Sequence, residues 1–216
     1  MEPRIDDVAK PLLRGYLHLV SAIVAPFALA YLVFLAESPR EIVGAAVFGG
    51  SLVILYWTSA SYHLLVSPRF RKFMSRLDRS VIFIFIPGAY TPVVLNLMSD
   101  AWAIPIMSAL AAVAVVGLVI TWFTPDAPRW VRVGLYLTLG WTGVVGIPEL
   151  VGALPGEALA LLALAGLLFS GGGAIYAARR PDPFPRVFGY HEVFHAMQVA
   201  ATVVFYSVVA MYAVQS

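Results

Sequence analysis

The 216-residue chain has no cysteine and little charge, with Asp, Glu, Lys and Arg together making up only 12% of it. A soluble domain usually carries ~25% charged residues and roughly 45–50% apolar ones. Here 61% of the residues are hydrophobic and the mean hydropathy is +0.86. A water-soluble fold is therefore excluded. The net charge of +2 is too small to keep the chain expanded, which excludes intrinsic disorder. The absence of cysteine excludes a disulfide scaffold. The sequence also lacks a glycine-rich phosphate loop, a haem-attachment motif and a GxSxG nucleophile elbow. What is abundant is apolar sequence in long runs, the composition of an integral membrane protein.

A bilayer-crossing helix needs ~20 residues, somewhat more when tilted. The apolar runs, bounded by charges, proline or glycine, are Tyr16–Ala36, Ile42–Val66, Leu77–Met98, Ala101–Phe123, Val131–Leu150, Pro155–Ala178 and Phe188–Val214. They predict an all-α membrane protein: a seven-transmembrane-helix bundle over 16–216, preceded by a short segment at 1–15. Met1–Arg14 mixes acidic with basic residues, and the first apolar run is long enough to stay in the membrane, so no cleavable signal peptide is expected.

Basic residues in short loops are retained in the cytoplasm. With the N-terminus cytoplasmic and the C-terminus outside, thirteen of the fourteen Lys and Arg residues lie inside. Only Arg40 lies on the other side, with Glu37, Glu41, Asp100, Glu149 and Glu157. Merging or splitting one span would put later basic loops on the wrong face. The sequence pI near 9.0 then reflects contact with anionic headgroups and calls for no nucleic-acid partner. Trp102, Trp122 and Trp130, near span ends, read as interfacial anchors. Gly166, Ser170 and Ala174, four apart on the sixth span, read as helix packing within the bundle rather than a dimer seam. Gly171-Gly172-Gly173 reads as helix packing or a kink.

Ionisable groups inside a span are expensive and mark candidate sites. The topology brings His18, His63, His191 and His195 to the cytoplasmic ends of spans one, two and seven, with Asp78 opening the third from the same side. Imidazoles and a carboxylate at one depth have the composition of a metal site. His191-Glu192-Val193-Phe194-His195 sets two imidazoles one turn apart on one helix face. Its HExxH form matches the zincin protease signature, but the chain has no room for a soluble peptide cleft. Ser59, four residues before His63, lies on the same face and ~6 Å deeper, where a hydroxyl can reach a metal-bound water or a substrate carbonyl. Taken singly, Asp78 can pair with Arg76 or Arg79 at the membrane surface. His18 reads as an interfacial histidine facing headgroups. Glu192, rotated ~100° from the histidine face, reads as a surface or outer-shell acid.

Ser59-x3-His63, Leu77-Asp78-Arg79-Ser80 with Gly88-Ala89-Tyr90-Thr91-Pro92, and Phe188-Gly189-Tyr190-His191-Glu192-Val193-Phe194-His195 together resemble the hemolysin III family, the bacterial branch of the progestin and adiponectin receptor (PAQR) group. The similarity runs through nearly the whole chain in order and spacing. It implies a zinc ion near the cytoplasmic face bound by His63, His191 and His195. It also implies that Asp78 holds or deprotonates the zinc-bound water, with Ser59 as the polar neighbour. The wider group includes alkaline ceramidases, read as metal-dependent amide hydrolases of lipids, and the bacterial members take their name from haemolysis. This chain departs from many relatives in having Arg79 where they have histidine. Its segment Lys10-Pro11-Leu12-Leu13-Arg14-Gly15-Tyr16-Leu17-His18 also lacks an acidic and asparagine-containing pattern, so no role is carried over to His18.

The expected function is zinc-dependent hydrolysis of an amide- or ester-linked lipid in the bacterial inner membrane, with Asp78 and Ser59 as catalytic residues and membrane lipids as partners. Two alternatives belong to other classes. One is a pore-forming cytolysin, which calls for a polar stripe from face to face that spans four and six lack. The other is a receptor-like sensor in which the same zinc is structural.

Overall fold

A computed structural model describes Pro11 and residues 13–214. The expected N-terminal segment lies mostly outside the described residues. Seven helices are long and apolar enough to cross a membrane. They are α1 (Tyr16–Leu35), α2 (Pro39–Leu64), α3 (Arg71–Leu97), α4 (Asp100–Phe123), a fifth span over Arg129–Ala153, α7 (Gly156–Ala178) and a last span over Tyr190–Ala213. The fifth span is broken. Its α5 (Arg129–Trp141) and α6 (Ile147–Ala153) are joined by a 3₁₀ segment over Thr142–Gly146. The last span is α8 (Tyr190–Val208), finished by a π turn over Val209–Ala213. The only β pairing among the described residues is an isolated bridge between Phe184 and Phe188 in the loop before α8.

Local chemistry accounts for the ends. Ser38-Pro39-Arg40-Glu41 forms a capping box on α2: the Glu41 N–H donates to Ser38 Oγ (3.3 Å), and Glu41 Oε2 accepts from the N–H groups of Ser38 (3.0 Å) and Glu37 (2.8 Å). Glu192 does similar service on α8, accepting the Gly189 N–H at 2.8 Å, while Asp182 accepts that of Tyr190 at 2.8 Å. Carboxylates at a helix N-terminus also complement its dipole.

Packing inside a bilayer gains nothing from hydrophobicity, because lipid is as apolar as leucine; close approach and shape decide it. Gly44 and Gly88 let α2 and α3 meet closely, since a Cβ on either would sit 2.8 Å from Pro92 Cα or 2.7 Å from Ser51 Oγ. Along α1 the face carrying Ala22, Ala25 and Leu32 is buried, while Val20, Ile23, Val24, Phe27 and Phe34 face outward. The Tyr206 hydroxyl donates to the Ala28 carbonyl at 2.8 Å and ties α8 to α1.

Gly171 and Gly172 lie against Met197 and Phe194 of α8, as expected for helix packing. The Gly166, Ser170, Ala174 stripe behaves differently. A Cβ on Gly166 would meet nothing within 4 Å, and Ala174 is exposed. Gly166 and Ser170 instead line an internal cavity, so their small size leaves space rather than closing a helix contact.

Candidate metal centre

The histidines of α2 and α8 converge. His63 Nε2 and His191 Nε2 are 3.3 Å apart, and one ligand atom from each of His63, His191 and His195 falls within 4.8 Å of the others. Ring centroids are 5.0 Å apart for His63 and His191, 5.2 Å for His63 and His195, and 4.4 Å for His191 and His195. Two vertices of a tetrahedron with metal–nitrogen bonds of ~2.0–2.1 Å are about 3.3–3.4 Å apart. The His63 and His191 nitrogens already have that separation, and with His195 they form a group that could hold a metal ion.

A glycine lets a third helix, α1, approach one of these histidines. Gly15, just before α1, has φ 89°, and a Cβ there would lie 2.7 Å from the His63 Cβ. Both its left-handed backbone and its lack of a side chain let the start of α1 lie against the ligand-bearing turn of α2. One residue earlier, Arg14 Nε donates to Glu192 Oε1 at 2.8 Å, and Leu13 N–H donates to the Val187 carbonyl at 3.1 Å. The first and last spans are thus pinned together beside the histidines. Glu192, expected as a surface or outer-shell acid, is only 1% exposed and is held by Arg14 and the Gly189 N–H, so it is not a surface group.

His18 corrects the sequence reading more sharply. It does not face headgroups: it is 2% exposed, its Nδ1 is 2.7 Å from Ser59 Oγ, and its ring lies flat on that of His195 at 3.8 Å and 11°. The two rings are parallel and face to face, and the ligand atoms that converge are those of His63, His191 and His195, without His18. The stacking makes His18 a neighbour of the ligand set rather than a fourth member. A sequence signal existed, since His18 stands one turn before Ala22 on the small-residue face of α1, away from the bulky lipid-facing side chains.

Asp78, on the first turns of α3, interacts with the Ser59 side chain. Among the described residues the ion pairs are Arg14 with Glu192 and Arg40 with Asp100, so Asp78 is not bound to Arg76 or Arg79. His18, Ser59, Asp78, His191 and His195 line one end of a cavity of about 520 Å³. Arg79 and Arg132 line that end too. Arg132 is 9% exposed and donates to the carbonyls of Ala127 (2.9 Å) and Pro125 (3.5 Å). Beyond them the lining is mostly apolar, through Phe85, Ile86 and Leu162 to Leu150 and Val151, with Tyr90, Ser170 and Gln198 among its polar members. Several lining residues also face outward, with Trp141 48%, Val144 46%, Val151 58% and Leu167 62% exposed. They stand on the fifth span and α7, so the cavity's mouth lies in the seam between those two spans. Trp141 Nε1 donates to Ser170 Oγ across the seam at 3.0 Å.

The arrangement sets a histidine triad that could hold a metal ion, and a carboxylate, beside a mostly apolar chamber with outward-facing residues on the fifth span and α7. The family model described as "Haemolysin-III related" matches residues 7–206. The chain is 24% identical over 213 residues to "Hemolysin-3 homolog" of Bacillus subtilis (strain 168), covering 97% of this chain and 95% of that protein. It is 26% identical over 212 residues to "Hemolysin-3" of Bacillus cereus, covering 96% and 91%. Against "Adiponectin receptor protein" of Drosophila melanogaster it is 28% identical over 200 residues, covering 82% of this chain and 45% of the receptor. Whole-chain similarity of this kind, together with seven spans and clustered histidines, makes the chain a multi-pass membrane protein of the haemolysin-III-related family.

Proposed function

We propose that this protein is a zinc-dependent hydrolase of amide- or ester-linked lipids in the bacterial cytoplasmic membrane, with its site near the cytoplasmic face. The observation that carries the reading is the cavity: a polar end holding Asp78, Ser59, His191 and His195 continues into an apolar chamber with a mouth between two spans. A lipid can enter through that seam without leaving the bilayer, with its acyl chain in the chamber and its linkage at the histidine end. His63, His191 and His195 would hold the zinc, which when bound would supply a water acidified to near neutral pH. The Asp78 carboxylate accepts one proton as water adds to the acyl carbon, and returns it to the departing nitrogen or oxygen. The products are a carboxylic acid and an amine or alcohol, so the balance closes with water alone.

The far end of the chamber, lined by Leu150, Val151, Leu159 and Leu162, supports an acyl-chain site better than an ion path. The test reconstitutes wild type and Asp78→Asn in bilayers containing bacterial and sphingoid lipids, follows cleavage by mass spectrometry, and records zinc content and ion flux on the same samples. Free acid or amine from wild type alone, with zinc retained in both proteins, is the expected result. Ion flux without cleavage would replace the enzyme with a pore. Neither signal would leave a receptor-like protein with structural zinc.

A further inference from the structure

His18 belongs to no metal-ligand or catalytic set assigned above, yet it is as deeply buried as His195. Its ring face lies on His195, the Tyr56 ring meets it edge-on at 5.2 Å, and only its in-plane nitrogens remain for polar work. Nδ1 is 2.7 Å from Ser59 Oγ. Nε2 is buried without a hydrogen-bond partner. Ser59, itself 3% exposed, lines the same cavity as Asp78 and is the side chain that hydrogen-bonds the Asp78 carboxylate.

The direction of the hydrogen bonds follows from counting protons. A serine hydroxyl has one proton to give and lone pairs to receive, an ionised carboxylate can only receive, and an imidazole with one ring proton gives through one nitrogen and receives through the other. If Ser59 gave its proton to His18, the ring's own proton would sit on Nε2, where a buried N–H has no acceptor. Ser59 would then turn a bare oxygen toward Asp78, setting two acceptors against each other. If His18 gives through Nδ1, both faults disappear: the Ser59 proton points to Asp78, and the partnerless Nε2 is a bare acceptor, a defect that folded proteins tolerate better than an orphaned donor.

We infer that His18 is a positioning residue that donates its Nδ1–H to Ser59 and so commits the Ser59 hydroxyl proton to the Asp78 carboxylate. The inference rests on the reading that Asp78 handles the proton. It changes the part expected of Ser59, which becomes the link that orients Asp78 rather than a donor to the substrate oxygen. It also gives the stacked pair a shared purpose, since the ring that orients the Ser59–Asp78 pair is the ring that braces the His195 imidazole.

The decisive measurement does not need turnover. Nitrogen-15 spectra of histidine-labelled protein in bilayers, loaded with zinc, are compared with those of His18→Asn to assign the His18 signals; asparagine keeps an N–H donor near the Nδ1 position. The expected result is a His18 ring protonated at Nδ1 and bare at Nε2, whose Nδ1 signal moves in Ser59→Ala. A proton on Nε2 would overturn the proposal. The Asp78 carboxyl carbon signal should shift alike in His18→Leu and Ser59→Ala, and stay near its wild-type position in His18→Asn and Ser59→Thr. An Asp78 signal indifferent to His18→Leu would also overturn it. On lipid cleavage, His18→Leu and Ser59→Ala should each lose ~10–100-fold with zinc retained, the scale of an outer-shell partner, and the double variant should lose no more than either alone. Additive losses would show two independent roles and defeat the relay. Absence of cleavage in every sample would defeat the hydrolase reading, while the spectra would still decide the hydrogen-bond direction.

Discussion

Gly15 contributes to the candidate site without contributing a side chain. Its positive φ and the 2.7 Å approach to His63 make any larger residue push α1 away from the ligand-bearing turn of α2. Gly15→Ala should therefore weaken metal binding although it alters no ligand, by ~10–100-fold if the displacement acts like loss of an outer-shell partner. His63→Ala, His191→Ala and His195→Ala should be more severe, because each leaves only two imidazoles. Elemental analysis of the purified variants measures both effects, and full occupancy in His63→Ala would remove that residue from the ligand set. At this scale the sequence was readable where geometry is local. His191 and His195 share a helix face through their four-residue spacing, and Ser59 stands in the same relation to His63. It was unreadable where the partner is remote, since the contact of His18 with Ser59 spans 41 positions and that of Arg14 with Glu192 spans 178.

The broken fifth span shows an element completed by a residue outside it. The apolar run predicts one helix, but at Gly140 and Gly143 the Tyr90 hydroxyl of α3 enters the backbone ladder, donating to the Gly140 carbonyl (2.5 Å) and accepting the Gly143 N–H (3.0 Å). Gly143 leaves the necessary space, for a Cβ there would lie 2.6 Å from the Tyr90 hydroxyl. Backbone groups freed from a helix in lipid need such a partner. The break falls between Trp141 and Ile147, beside the cavity mouth, so it shapes the wall through which a lipid would pass. Tyr90→Phe removes both bonds and should destabilise the protein by about 1 kcal/mol, near the average of ~0.6 kcal/mol measured for such bonds in a membrane bundle, counted twice. Hydrogen exchange at the Gly143 amide should rise at the same time. Unchanged exchange there would mean that Tyr90 does not hold the break.

For the whole molecule, the ends of the bundle differ in charge. One end carries Arg69, Arg71, Lys72, Arg76, Arg79, Arg129, Arg132 and the Arg179–Arg186 loop together with the histidines; the other carries Glu37, Asp100, Glu149 and Glu157, with Arg40 paired to Asp100 at 3.3 Å. Retention of basic loops inside predicts that a reporter active only in the cytoplasm works when fused in the Ser67–Arg79 loop and fails at Ser216. Activity at Ser216 would reverse the orientation.

Composition and spacing by themselves determined the membrane class and the seven helices. Both depend on the transfer of backbone and side chains into hydrocarbon, a property summed residue by residue along the chain. They also brought the histidines and Asp78 to one depth, because depth follows from position within a span. Rotation of each helix about its axis is not a sum of that kind. It follows from which surfaces meet, and only the tertiary structure turned His18 inward onto His195, buried Glu192 against Arg14, and opened a cavity along Gly166 and Ser170 where sequence suggested a packing seam. Small residues allow close approach but do not require it. Whether the space beside them is filled by a helix or left open is decided by where the broken fifth span stands.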